Sequence, residues 1–147
     1  MRFWDTSALV PLVVEEPGTE LCSSWLLEDP EMILWGLTRL ELASAIERRA
    51  REGRLRPAER KAALRRVERI ATDAHEVSDL AAVRARGVAL LARHPLRAAD
   101  AAQLGAALLV AEPAPSSLAI AVLDRRLADA ADREGLQVLT WPGDEAL

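Results

Sequence analysis

Four carboxylic acids lie where predicted strands end or predicted helices begin. Asp5 stands in "FWDTSAL", Glu41 in "TRLELASAI", Asp100 in "RAADAAQL" and Asp124 in "AVLDRRLADA". In an open parallel sheet the carboxyl ends of the strands share one edge, and ligands bind at that edge. We therefore expect these four side chains to meet in one cleft.

Each acid also has a structural explanation of its own. Asp5 can cap the helix that follows it, Thr38 and Glu41 have the spacing of a capping box, Asp100 in a first helical turn complements the macrodipole, and Asp124 can act as an N-cap. Taken singly, these explanations are favoured. Four carboxylates in one cleft, however, repel one another and would destabilise the fold unless a cation neutralises them. The set as a whole therefore predicts a divalent metal site.

The ligand chemistry indicates which ion this site would hold. Oxygen ligands without His or Cys favour a hard ion, Mg²⁺ or Mn²⁺, over Zn²⁺. Cys22 is the only cysteine, so one chain can form neither a disulfide nor a thiolate zinc site, and we expect it to pack as a small apolar residue. A carboxylate-held ion can activate water and stabilise the charge that grows on a phosphate. The acids therefore suit phosphodiester chemistry.

Short apolar runs that alternate with helical patterns must position the acids. The runs in "MRFW", "EMILWGLT", "HEVSDL", "LAIAVL" and "LQVLT" predict five strands. Seven helices are predicted in "SALVPLVV", "GTELCSSWLLED", "TRLELASAIERRAREG", the segment from Arg56 to about Thr72, "AAVRARGVALLARH", "RAADAAQLGAALLVAE" and "DRRLADAADREG". This alternation predicts one α/β domain over residues 1–147, a three-layer α/β/α sandwich with a mainly parallel sheet and right-handed crossovers.

Charge is distributed unevenly along the chain. The net charge is −4, yet the segment between Glu47 and Arg69 contains ten basic and four acidic residues. Such a basic helical segment either binds a polyanion or forms a solvated face. Arginine outnumbers lysine eighteen to one, which suits bidentate phosphate contacts and equally fits a bias in genomic base composition.

Other catalytic arrangements lack the residues they need. A serine or cysteine hydrolase requires a histidine partner, and we expect His75 and His94 at the surface or at element boundaries. The dispersed glycines form no phosphate loop, and Ser7 stands where a haloacid-dehalogenase-like phosphatase would have a second Asp. Aromatic residues make up 3% of the chain, with no Tyr, which argues against a stacking platform for RNA.

The sequence gives no sign of a membrane or secretory segment. The apolar stretches are too short to span a bilayer, and the N-terminal segment lacks a basic start and a cleavage site. We therefore expect a cytoplasmic protein without a membrane partner.

The segments that hold the acids resemble a known family. The order and context of "DTSAL", "TRLELASAIERR", "LRAADAAQLGAAL" and "VLDRRLADAADREGLQVL" are similar to those of PIN-domain ribonucleases, particularly the VapC toxins of toxin–antitoxin pairs. Many relatives have a Thr where this chain has Val122. The resemblance implies a metal-dependent endoribonuclease whose catalytic, metal-holding acids are Asp5, Glu41, Asp100 and Asp124, with Ser7 supporting the site.

The same resemblance implies partners. It implies an RNA substrate, a homodimer, and a cognate antitoxin whose segment covers the cleft. We expect Arg65, Arg66 and Arg69 in the basic segment to guide RNA. Trp4, Trp25 and Trp35 should fill the core or a dimer interface. The apolar residues of "LCSSWLL" and "MILWGL" add a motive for the homodimer, since we expect them to exceed what one small core can hide.

Two alternatives remain open at this point. A catalytically inactive PIN-like protein would bind RNA or a partner without cleaving, and metal-dependent cleavage separates it from a nuclease. A PIN nuclease of RNA processing would act without an antitoxin, and a short neighbouring gene for a DNA-binding antitoxin would distinguish the toxin from it.

Overall fold

A computed structural model describes residues 1–143, so residues 144–147 of the predicted domain lie outside the described residues. The strands are β1 (Arg2–Trp4), β2 (Met32–Trp35), β3 (His75–Val77), β4 (Ala119–Ala121) and β5 (Gln137–Leu139). The helices are α1 (Thr6–Val13), α2 (Thr19–Glu28), α3 (Thr38–Arg51), α4 (Pro57–Asp73), α5 (Leu80–Arg93), α6 (Ala98–Ala111) and α7 (Arg125–Arg133), with a 3₁₀ turn at Pro115–Ser117. The predicted order of strands and helices is confirmed.

The strands form one sheet in the order β3-β2-β1-β4-β5, and every strand pair in the described residues is parallel. Phe3 of β1 lies opposite Ile33 of β2 on one side and Ile120 of β4 on the other. The chain therefore adds β2 and β3 on one side of β1 and then crosses over to add β4 and β5 on the other side of β1. Ligands bind at such a reversal of strand order, which here lies between β1 and β4.

Helices cover both faces of the sheet. Alternate side chains of a strand point to opposite faces, so neighbouring strand residues pack in different cores. Phe3 packs in a core with side chains from α5, α6 and α7. Its neighbour Trp4 packs on the other face with side chains from α1, α2, α3 and α4. The predicted α/β/α sandwich is confirmed, and both cores belong to one unit. No helix in residues 1–143 is long and apolar enough to cross a membrane.

The tryptophans of the first third of the chain lie in the core. Trp4, Trp25 and Trp35 are at most 7% exposed, and the rings of Trp4 and Trp25 meet edge to face with centroids 6.4 Å apart. One chain therefore hides these residues without a dimer. Leu27 and Leu40 remain exposed, at 86% and 68%.

Two of the predicted helix caps are present. The Asp5 side chain accepts the backbone N–H of Ser7 and caps α1, and the Asp124 side chain accepts the N–H of Leu127 at 2.9 Å and caps α7. Both acids therefore lie at the edge where β1 and β4 end.

The capping box predicted for Thr38 and Glu41 is wrong. Thr38 is the first residue of α3, and Leu37 precedes it as an N-cap without a side-chain hydrogen bond. The Thr38 hydroxyl instead accepts a hydrogen bond from Gln103 of α6 at 3.1 Å. The Glu41 carboxylate likewise contacts Thr6 and Gln103 and, within the described residues, makes no capping hydrogen bond.

His94 lies at an element boundary, one of the two positions predicted for it. It ends α5, as expected for a boundary residue, but it is only 8% exposed and does not lie at the surface. Its Nε2 atom is 2.9 Å from Oε2 of Glu134, a residue 40 positions away that the sequence does not link to it.

Candidate active site

Asp5 lies immediately after the central strand β1 and is 4% exposed. Its backbone N–H donates to the carbonyl of Ala121 at 3.0 Å, which fixes it beside the end of β4. Oδ2 accepts the backbone N–H of Ser7 at 3.0 Å and also its hydroxyl. Oδ1 accepts no hydrogen bond from the described residues, so one carboxylate oxygen remains available to a ligand.

Ser7 also holds the segment that follows β4. Its Oγ atom also accepts the backbone N–H groups of Leu123 at 2.9 Å and Asp124 at 3.1 Å. The segment after β4 is therefore tied to the segment after β1 through one hydroxyl group.

The environment of Asp5 opposes its ionisation. The pKa of its carboxyl is raised from 3.8 to about 7, chiefly by burial and to a smaller extent by the charges of Glu41 and Asp100, while the two hydrogen bonds from Ser7 act in the opposite direction. A carboxyl group in this condition gains from a nearby cation, because the cation offsets both the lost solvation and the repulsion.

Glu41 faces the same edge from the first turn of α3. Its Oε2 accepts the hydroxyl hydrogen of Thr6 at 2.9 Å, and Nε2 of Gln103 lies 3.4 Å from both of its carboxylate oxygens. Burial raises the pKa of Glu41, and the charge of Asp100 adds to that effect. Glu41 and Asp100 are thus electrostatic neighbours although they come from opposite faces of the sheet.

Asp100 and Asp124 form the outer part of the site. Asp100 is half-buried in the first turn of α6, where burial and the charge of Asp124 raise its pKa, while Arg97 and Arg126 lower it. Asp124 is exposed and caps α7. The structure therefore brings all four predicted acids to one edge of the sheet, where the charges of Glu41 and Asp100 act on Asp5, that of Asp100 on Glu41, and that of Asp124 on Asp100.

A cleft of about 520 Å³ opens beside Asp100 and Asp124. Its walls carry the side chains of Pro95, Arg97, Ala99, Asp100, Asp124, Arg125 and Arg126. The three arginines were not predicted as site residues. They come from two separate segments, so a count of charges along the sequence does not find them.

The donor set fits a hard divalent cation. It offers carboxylate oxygens without a competing thiolate or imidazole, and three of the carboxyls are destabilised as anions by burial and by the charges of neighbouring acids. Within residues 1–143, no three acidic, imidazole or thiol side chains already surround a common point as ligands. The arrangement thus suits an ion such as Mg²⁺, which proteins commonly bind through one or two carboxylates while it keeps several waters.

The predicted RNA-guiding arginines lie elsewhere on α4. Arg69 lines a groove with Pro30 and Met32 at the start of β2, the opposite edge of the sheet from Asp5. Arg66 donates to the carbonyl of Val13 at 3.0 Å, and Arg65 is exposed. The structure does not bring Arg66 and Arg69 to the acids, and a role for the three in RNA binding stays a prediction.

Comparison with known proteins identifies the fold family. The sequence matches the family model of the PIN domain over residues 2–133, a range that contains all four acids. The chain belongs to the PIN-domain family. Comparison with curated protein sequences gives no match.

Solved structures show the same PIN fold. FitAcB from Neisseria gonorrhoeae is similar with a TM-score of 0.63 and 20% identity, over 95% of this chain and 96% of that one. A toxin–antitoxin complex from Klebsiella pneumoniae has a TM-score of 0.61 and 16% identity over 87% and 91%. PAE2754 from Pyrobaculum aerophilum has a TM-score of 0.61 and 24% identity over 93% and 82%. These similarities extend over nearly the whole PIN domain.

Proposed function

We propose that this PIN domain is a metal-dependent endoribonuclease of the VapC toxin type. The observation that carries the proposal is the position of buried Asp5 and half-buried Glu41 and Asp100 at the strand-reversal edge of the sheet, where the charges of Glu41 and Asp100 raise the pKa of Asp5. PIN domains are nucleases as a family. The carboxylates, together with Asp124, would hold Mg²⁺ or Mn²⁺ and position the attacking water.

The chain's own residues have distinct tasks in this proposal. A bound Mg²⁺ or Mn²⁺ would supply activation of water and neutralisation of charge on the phosphate. Ser7 fixes the orientation of Asp5 and leaves its Oδ1 for the ion or for a proton from water. Arg97 and Arg126, whose charges act on Asp100 across the cleft, would bind the phosphates on either side of the cleaved bond.

The proposed partners follow from the toxin type. One similar structure is a toxin–antitoxin complex, which supports a cognate antitoxin for this chain. A homodimer is also part of the proposal, and the exposed side chains of Leu27, Leu37 and Leu40 offer it apolar surface near α2 and α3. A strictly monomeric elution profile at micromolar concentration would contradict the dimer.

Because cellular RNA would be the target, we propose action in the cytoplasm.

Cleavage assays test the nuclease activity. Purified protein should cut single-stranded RNA in Mg²⁺ or Mn²⁺, stop on addition of a chelator, and resume when excess metal is restored. Asp5→Asn, prepared identically, should fold with an unchanged circular dichroism spectrum and leave the RNA intact, because Asn can still cap α1 but lacks the charge. Cleavage by Asp5→Asn at the wild-type rate would contradict the catalytic assignment.

Expression in cells tests the toxin type. Expression of the wild-type chain alone should arrest growth and degrade RNA, and co-expression of an adjacent small gene for a DNA-binding antitoxin should restore growth. Cleavage in vitro without growth arrest would indicate a PIN nuclease of RNA processing. RNA binding without metal-dependent cleavage would indicate an inactive PIN-like protein.

A further inference from the structure

Gln103 is a fully buried amide in α6, one helical turn after Asp100. Its Nε2 atom lies 3.0 Å from the hydroxyl of Thr6, 3.1 Å from that of Thr38, and 3.4 Å from each carboxylate oxygen of Glu41. One amide group thus connects the segment after β1, the start of α3 and the helix that carries Asp100.

The position of Gln103 is costly for a residue that only packs. Its neighbours in α6 are buried Ala and Leu residues, among them Ala101, Leu104 and Ala107. Its own Oε1 is buried and has no hydrogen-bond partner among the described residues. A buried unpaired acceptor destabilises a fold, whereas an apolar side chain of similar size would not. Residues that break a packing rule in this way are often found at functional sites.

The hydrogen bonds from Gln103 to Glu41 through Thr6 form a chain in which each donor points toward Glu41. Its amide donates to Thr6, and the hydroxyl of Thr6 then donates to Oε2 of Glu41 at 2.9 Å. Because the amide occupies an acceptor position on Thr6, the hydroxyl hydrogen is left to point at Glu41. The two amide hydrogens serve the nearer hydroxyl oxygens of Thr6 and Thr38, so Gln103 orients Glu41 mainly through Thr6, with its amide nitrogen 3.4 Å from both carboxylate oxygens.

We propose that Gln103 is a positioning residue that holds the Glu41 carboxylate in place to receive the divalent cation, an inference that rests on the proposed function. Thr38, which is fully buried, fixes the amide by accepting a hydrogen bond from it. Partners of this kind orient carboxylate ligands, and their loss typically costs about 10- to 100-fold in metal affinity or activity.

Mn²⁺ titration by calorimetry tests the inference in four proteins: wild type, Gln103→Leu, Glu41→Gln and the double variant. Gln103→Leu should bind Mn²⁺ about 10- to 100-fold more weakly than wild type. In the Glu41→Gln background the same substitution should cause no further loss, because the residue it positions no longer carries a charge. A loss of equal size in both backgrounds would overturn the inference.

Thermal unfolding without metal separates positioning from packing. Gln103→Leu should melt close to the wild-type temperature, since it removes an unpaired buried acceptor but also leaves the buried Thr38 hydroxyl without its donor. A lower melting temperature together with unchanged Mn²⁺ affinity would show that Gln103 serves only the fold. If Gln103→Leu does not fold, Thr38→Val tests the same hydrogen bonds and should weaken Mn²⁺ binding in the same direction, while Thr38→Ser should retain it.

The outcomes distinguish this inference from the function on which it rests. Wild-type protein that binds no Mn²⁺ would overturn the proposed metal-dependent function and the inference with it. Wild-type binding with equal affinity in folded Gln103→Leu would overturn the inference alone.

Discussion

Ser7 donates two hydrogen bonds to a single oxygen of Asp5, one from its backbone N–H and one from its hydroxyl. The same hydroxyl accepts the backbone N–H groups of Leu123 and Asp124. A carboxylate bonded in this way has a fixed orientation, and its second oxygen is left for a ligand. The relationship also makes Ser7 a residue whose loss should be measurable in both stability and activity.

Ser7→Ala should lower stability and shift the pH dependence of cleavage. The substitution removes the acceptor of a partly buried backbone N–H at Leu123, and we expect a loss of about 1–3 kcal/mol in the free energy of unfolding. The Ser7 hydroxyl lowers the pKa of Asp5, so the rising limb of the cleavage rate should move to higher pH. Urea unfolding and a pH–rate profile measure the two effects. Ser7→Thr keeps the hydroxyl and should resemble wild type; identical profiles for Ser7→Ala would contradict this role.

The metal-free protein should lose stability as the pH rises. The folded-state pKa of Asp5 is about 7 against 3.8 for the ordinary carboxyl, so the folded chain holds a proton that the unfolded chain releases. The stabilisation from Asp5 is therefore complete below pH 3.8 and is lost as the pH rises through about 7. At about 1.4 kcal/mol for each pKa unit, this amounts to about 4 kcal/mol at most.

Urea midpoints measured across this pH range check the sign. Asp5→Asn has no proton to release at this position, so its stability should vary less with pH than that of wild type. Above neutral pH the variant should be the more stable protein when metal is absent. A wild-type stability that rises with pH between these limits would contradict the assignment.

Mn²⁺ should stabilise the folded protein by mass action. At a concentration 100 times the dissociation constant the gain is about 2.7 kcal/mol. Asp100→Asn should remove most of this gain, because it removes one of the converging charges. Asp132→Asn is a matched control, since Asp132 is an exposed acid near the end of α7 and away from the cleft. Differential scanning calorimetry with and without Mn²⁺ gives the result, and equal gains in both variants would count against the site.

The cleft arginines should govern the salt dependence of RNA binding. In an Asp5→Asn background that prevents cleavage, joint replacement of Arg97, Arg125 and Arg126 by Gln should reduce the slope of log affinity against log salt by about 2, since each phosphate contact on a single strand contributes about 0.7. Fluorescence anisotropy with a labelled RNA at several salt concentrations measures the slope.

The triple variant of Arg65, Arg66 and Arg69 removes the same charge from α4 and serves as the comparison. We expect a smaller change, because Arg69 lies beside the start of β2 and Arg66 is bonded to Val13. A larger change in this variant than in the cleft variant would show that α4 guides the RNA.

Local patterns are sufficient to predict the elements and the edge of the sheet at which the four acids lie. Each strand is a short apolar run, and Asp5 and Asp124 occur where such runs give way to helices, so their meeting follows from the geometry of a parallel sheet. The order of the strands did not follow from these patterns, since it depends on which apolar faces pack together. The capping box predicted at Thr38 is wrong because a distant contact decides the role of the hydroxyl: it bonds to Gln103, which is 65 positions away.

The unpredicted parts of the site share one physical property. Gln103 stands among Ala and Leu residues in α6, and nothing in the sequence distinguishes it from a residue on the helix surface. Only its contacts across the sheet edge make that distinction. Arg97 lies in a different segment from Arg125 and Arg126, and the fold brings them to one cleft. Sequence patterns identify residues that are neighbours along the chain, and these residues are neighbours only in space.

The central place of β1 makes assembly of the site depend on the order of synthesis. A nascent chain that ends after α6 carries Asp5, Glu41 and Asp100 but lacks β4, which pairs with β1 at Phe3 and Trp4. Asp5 then has no Ala121 carbonyl to hold its backbone, and Ser7 has no N–H from Leu123. Under the proposed function, a ribosome translating this protein would therefore carry an incomplete catalytic site until β4 emerges, so the nascent chain could not cleave RNA before that strand is made.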